Sequence, residues 1–275
     1  MRIPPLRLAL LALTFSSVAA CNLQNSPLLI SLFGPPKHEL VEAYAGTGTG
    51  ATVDHSAFDA LLAEHVHGYD VDYDGLSADS TALDAYLSTL ATAPFDQLDR
   101  DGKLALLINA YNAFTLRLIL DHRSTSGSLA SIQDIPRDER WDAERWTLAG
   151  QTTSLTSIEH DELRAKFVEP RIHFAINCAS TGCPPLRSEA YTPARLEEQL
   201  ADQMHTIHHD ERWLRIDGDT VYLSKLYLWY AGDFEQVAGS ALAFAAQERP
   251  ELGRGEWTIE WLDYDWSLND DVEPP

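Results

Sequence analysis

The sequence predicts an α+β fold, a single helix-rich domain packed on a small, mostly antiparallel sheet. Three observations predict it. Leu104, Leu107, Ile108, Tyr111, Phe114, Thr115, Leu118 and Ile119 make residues 101–120 apolar nearly all round, as a central buried helix requires. Residues 145–155 and 213–223 alternate apolar and polar side chains about Gly150 and Asp217-Gly218-Asp219, and so read as two hairpins. Ile172, Phe174 and Ile176 alternate with His173, Ala175 and Asn177, the period of a strand buried on one face.

The N-terminus reads as an export signal over residues 1–20. Arg2 and Arg7 precede an apolar run from Leu8 to Phe15, and small residues reach Ala20. The run is far short of the roughly 20 residues that span a bilayer. Cys21 follows Val18-Ala19-Ala20 and resembles the lipidated cysteine of a bacterial lipobox. A lipidated Cys21 would make the membrane a partner and anchor a soluble domain in the cell envelope. Asn22 in place of aspartate points to the periplasmic face of the outer membrane. Residues 21–52, with Pro35-Pro36 and three glycines between Gly46 and Gly50, are expected as a flexible tether, though Leu28 to Phe33 suits packing on the domain or the membrane. The globular domain is expected over 53–270, with a tail at 271–275.

Forty-two acidic residues against 20 basic ones give a net charge of -22, which argues against nucleic acid as a partner. Loss of the leader arginines deepens that charge.

Within the domain, Phe58, Leu61, Leu62 and Val66 predict a helix capped at Asp54, and Val71-Asp72-Tyr73 a short extended turn. Ser80 is expected to cap a helix through Leu90. A helix carrying Glu159, His160 and Arg164 ends before Pro170. Thr192-Pro193 is expected to open another, with Leu196, Leu200, Met204 and Ile207 as its apolar stripe. Short helices over 226–234 and 238–246 and a strand at 257–262 complete the chain.

Residues 171–187 hold the chemistry. The expected strand stops at Cys178, and Ala-Ser-Thr-Gly returns the chain to Cys183 before Pro184-Pro185. A histidine, an amide and two thiols thus meet at one strand end. This stretch resembles the domain of unknown function 547 family, and other segments agree: Val71 to Tyr73, Ile108 to Leu116, Ile158 to His160 with Leu163-Arg164, Leu223 to Lys225, Trp229-Tyr230, Asp233-Phe234 and Tyr264 to Asn269. The resemblance runs from Phe58 to Asn269; it implies a fold family and names no activity. The helix of Asn109 to Leu116 also distantly resembles the nucleophile helix of transglutaminase-like and papain-like folds. Asn109, Tyr111 and Asn112 stand where a cysteine is needed, so that activity is not carried over.

With Cys21 set aside, export places Cys178 and Cys183 in an oxidising compartment, where a disulfide between them is the first expectation. A catalytic thiol, a redox pair and a metal site are the other uses open to them. The primary reading is a peptide or small polar ligand held at the loop by Asn109, Tyr111, Asn112, His173, Asn177, Ser180, Cys183, Lys225 and Asp265. The alternative is a thiol-dependent hydrolase or transferase acting on periplasmic amides, with Cys178 as nucleophile, His160 as base and Glu159 as its orienting group. His173 would face away from Cys178 along a strand. Asn109 and Asn112 are also expected to tie down loops, because a buried amide needs its bonds met. No motif asks for a cofactor, and no metal site is assigned. His205 and His209, one helical turn apart, suit a shared zinc or copper ion but read first as a solvated turn.

Overall fold

In a computed structural model that describes residues 39–126 and 129–270, the elements follow in the predicted order with local departures. Helix α1 (Ser56–His65) leads through the ribbon β1 (Val66–His67) and β2 (Asp70–Val71) to α2 (Tyr73–Ala78) and α3 (Ser80–Ala91). The N-cap of α1 is His55 in place of the expected Asp54, whose carboxylate accepts from the Ser56 N–H at 2.9 Å just ahead of the helix. Helix α4 (Arg100–Ser126) is the central one. It is long and apolar enough to cross a membrane, yet 89% of that apolar stretch is buried in protein, so it is a core helix. The hairpin β3 (Trp146–Leu148) and β4 (Gln151–Thr153) packs on α3. A π-helix then spans Ser157–Arg164.

The first departure is at residues 171–177. The predicted strand is a single helical turn, α5 (Ile172–Ala175), followed by extended chain from Ile176. Its alternation is misleading because Ile172, His173, Phe174, Ala175, Ile176 and Asn177 are all buried, so no face is left to water. The N–H groups of Ile172, His173 and Phe174 bond back to the carbonyls of Glu169, Pro170 and Arg171, a turn's pattern with no ladder. The second departure follows. Helix α6 (Leu196–His209) starts beyond Thr192-Pro193, whose residues form a turn.

The strands β5 (Leu214–Asp217) and β6 (Thr220–Leu223) pair antiparallel, and β7 (Thr258–Trp261) adds to β6 in parallel. Between them lie α7 (Lys225–Trp229), α8 (Ala231–Ala238) and α9 (Ala241–Ala245). Gly239, at φ +85°, closes α8 in the left-handed conformation, which is why the single helix expected over 238–246 begins only after Ser240.

Two apolar cores result, one around α4 and one around Phe174, Ile207, Trp213, Tyr227 and Phe234. The α5 turn sits at their junction: Ile172 and Ile176 face the first core, Phe174 the second.

Residues 39–52, expected as flexible tether, are docked on the domain. Ala43 N–H donates to the Lys166 carbonyl, Glu42 pairs with Arg100 at 3.1 Å, and Tyr44 donates to Glu162 at 2.9 Å. Buried Lys103 lies over the rings of Tyr44 and Phe95 and bonds the Thr47 hydroxyl and the Leu98 carbonyl, so a cation–π contact clamps the segment. The export signal, Cys21, Leu28 to Phe33 and residues 271–275 lie outside the described residues.

Candidate functional site

Cys178 is placed by its neighbours' backbone bonds. Asn177 sends its side-chain N–H to the Pro184 carbonyl at 2.8 Å and takes the Ala179 N–H at the same distance, which pins both ends of the loop. Ala179 is left-handed, at φ +60°, a conformation costly for a residue with a Cβ and concentrated at functional sites. Gly182 approaches the closing segment so tightly that a Cβ there would stand 2.8 Å from the Asp265 nitrogen. That approach brings Tyr264 to the thiols. Cys178 Sγ lies 2.7 Å from Cys183 Sγ, 3.1 Å from Ser180 Oγ and 3.3 Å from Tyr264 Oη. The expected disulfide is not formed; both cysteines are free. The sulfurs lie in close contact, and the Cys178 N–H donates to Cys183 Sγ at 3.0 Å.

The two thiols are not equivalent. Cys178 is half-buried and Cys183 buried. The hydrogen bond from Cys183 lowers the Cys178 pKa against the opposing effect of burial, and the Ser180 and Tyr264 hydroxyls help. Burial, then the neighbouring Cys178, pushes the Cys183 thiol well up. Of the two, Cys178 is the sulfur that gives up its proton more readily.

A second polar cluster lies behind the α5 turn. His173 Nε2 bonds Asp233 Oδ2 at 2.9 Å, and Arg164 grips the same carboxylate with two bonds of 2.7 and 3.0 Å. Arg164 also reaches His160 Nδ1 at 2.9 Å. Tyr230 stacks on the His173 ring at 3.8 Å and donates to Glu159 at 2.5 Å. Burial raises the Asp233 carboxyl, but His173 and Arg164 outweigh it and hold the group well below the carboxylate range. Burial also raises Glu159, and His160 and the Tyr230 hydroxyl reverse that.

Residues 95–206 match the family described as a protein of unknown function, DUF547. The chain carries a DUF547 domain. Neither the curated proteins nor the solved structures contain a match to it. The matched segment is narrower than Phe58 to Asn269, but it runs from before α4 into α6 and includes both thiols.

The predicted site residues, of which Lys225 and Asp265 lie outside the DUF547 match, separate into three groups. Cys178, Cys183 and Ser180 come together, with Asn177 behind them. Asn109 and Asn112 spend their amides on backbone: Asn109 exchanges bonds of 2.8 and 2.9 Å with Tyr191, while Asn112 donates to the Ala175 carbonyl and accepts the Asn177 N–H. They tie α4 to the loops, the structural role expected of buried amides. Tyr111 is buried beside both clusters; burial, then the charges of Glu159 and Cys178, raises its pKa.

The remaining residues lie off the sulfurs. Asp265 caps a turn by accepting from Ser267, and Lys225 faces Asp263 at 3.4 Å. His160 bonds Arg164, and His173 bonds Asp233. Sequence reasoning gave no role to Tyr264, Tyr230, Asp233 or Arg164. All four stood in segments that carried the family resemblance, which is the signal that pointed to them.

Proposed function

We propose that the protein is an exported, lipid-anchored envelope protein whose DUF547 domain performs thiol–disulfide exchange on a polypeptide ligand at Cys178 and Cys183. The observation that carries this reading is the geometry of the sulfur pair, with the partly exposed Cys178 2.7 Å from the buried Cys183. Closing it to a bonded distance of about 2.05 Å asks for a shift of well under an ångström. A hydrolase or transferase would need a base at the nucleophile, and the partners of Cys178 are a thiol and two hydroxyls. The leader and Cys21 support export and anchoring.

In the proposed reaction, the Cys178 thiolate attacks one sulfur of a partner's disulfide and releases the other as a thiolate, leaving a mixed disulfide. Cys183 gives its proton to that leaving thiolate and attacks Cys178 Sγ, breaking the mixed disulfide and releasing the partner's other sulfur as a thiolate that takes a proton from water. The domain ends oxidised and the partner ends as a dithiol. The reverse sequence oxidises a partner dithiol.

The test uses the reduced full chain and a model peptide disulfide. The wild type should release peptide thiol and close the Cys178–Cys183 bridge. Cys183→Ser should stall as an adduct on Cys178, and Cys178→Ser should not react. A Cys183→Ser protein that forms no adduct, or a wild-type bridge that glutathione cannot reopen, contradicts exchange and leaves the pair structural.

A further inference from the structure

The geometry points to a surface site for a divalent transition-metal ion of the zinc class, formed by His205, His209 and Glu248. The two histidines occupy the last turns of α6 four residues apart, so their rings share a face, with centroids 4.2 Å apart. Glu248 comes from the turn after α9, which folds back on α6. One ligand atom from each residue lies within 4.8 Å of the other two.

The spacing suits an ion. Nitrogen and oxygen ligands about 2.0–2.2 Å from a tetrahedral ion stand about 3.3–3.6 Å apart. His205 Nδ1 and Glu248 Oε2 are 3.3 Å apart. Two imidazoles and a carboxylate satisfy the preference of zinc and copper(II) for borderline nitrogen donors, and three protein ligands leave one position for water or a further ligand. Calcium and magnesium prefer oxygen-rich shells.

The surroundings permit it. Both histidines are exposed, so neither holds up the core. The neighbouring Arg249 guanidinium is engaged, bonding Glu251 at 2.7 Å and the His208 carbonyl at 2.8 Å. Glu248 also lines a cleft of about 370 Å³ with Arg171, Glu197, Met204 and Phe244. The chain's net charge of -22 raises the local concentration of cations.

Isothermal titration of zinc chloride into the full chain, produced without a polyhistidine tag, tests the site. A Cys178→Ser/Cys183→Ser background removes competing thiols. One zinc per chain is expected, with binding lost in His209→Ala and weakened in Glu248→Gln while metal-free thermal unfolding stays unchanged. Cobalt(II) should give a tetrahedral visible spectrum lacking sulfur charge transfer in both the wild type and the thiol-free background. No zinc binding, or equal binding by a His205→Ala/His209→Ala variant, overturns the site.

Discussion

Replacing Asp233 with alanine should destabilise the domain by about 3–5 kcal/mol, because it leaves an arginine charge buried without its partner. Asp233 and Arg164 side chains are each 1% exposed and joined by two hydrogen bonds, and His173 shares the same carboxylate. The penalty comes from the orphaned charge more than from the lost attraction. A double replacement, Asp233→Leu with Arg164→Met, should therefore recover most of it, since well-packed apolar groups often substitute for a buried pair at little cost. Urea unfolding at pH 7.5 reads both. A single variant within 1 kcal/mol of wild type would show that water reaches the pair.

Acidification from pH 7.5 to 5.0 should cost about 4 kcal/mol through two other histidines. Burial lowers both His55 and His208 to about 4. His208 donates from Nδ1 to the Met204 carbonyl and accepts from Tyr227 at Nε2; His55 Nδ1 takes the Tyr86 hydroxyl at 2.7 Å. Between the unfolded value of about 6.5 and the folded value, the unfolded chain binds more protons, so stability falls as pH drops through that window. Each imidazole contributes about 2 kcal/mol over this range. His173, also lowered by burial, acts in the same direction. The carboxylate of Asp233, depressed instead, loses its contribution only at lower pH. Unfolding free energies at the two pH values check the sum, and a His55→Asn/His208→Asn variant should flatten the dependence. An unchanged wild-type value would mean that these rings are protonated in the fold.

Helix α4 was legible because the apolar run over residues 101–120 is too long for a strand, and the hairpins because Gly150 and Asp217-Gly218-Asp219 each separate two runs of alternating side chains. At Ile172 to Asn177 the contrast between a core face and a water face vanishes. Every side chain is buried between two cores, and His173 Nε2 finds its partner in Asp233, 60 residues away in sequence. Periodicity there carries no information about the backbone. Thr192-Pro193 had the chemistry of a helix start, yet Gln199 takes the Thr192 N–H and the helix opens later.

The candidate site was legible as a loop and not as a constellation. Two cysteines around Gly182 marked the place. The hydroxyl that completes it belongs to Tyr264, 86 residues beyond Cys178, and arrives only because Gly182 lets the closing segment pass. Asn109 and Asn112 showed the reverse. They were correctly read as buried amides, and their bonds are with backbone that positions the loop.

The asymmetry of the two sulfurs is open to direct measurement. Fully reduced protein is pulsed with iodoacetamide across a pH series, and the alkylated residue is mapped by mass spectrometry. Cys178 should label first, with a midpoint below that of an ordinary thiol, and Cys183 should stay protected until the fold is opened. Equal labelling of both, or earlier labelling of Cys183, would contradict the account.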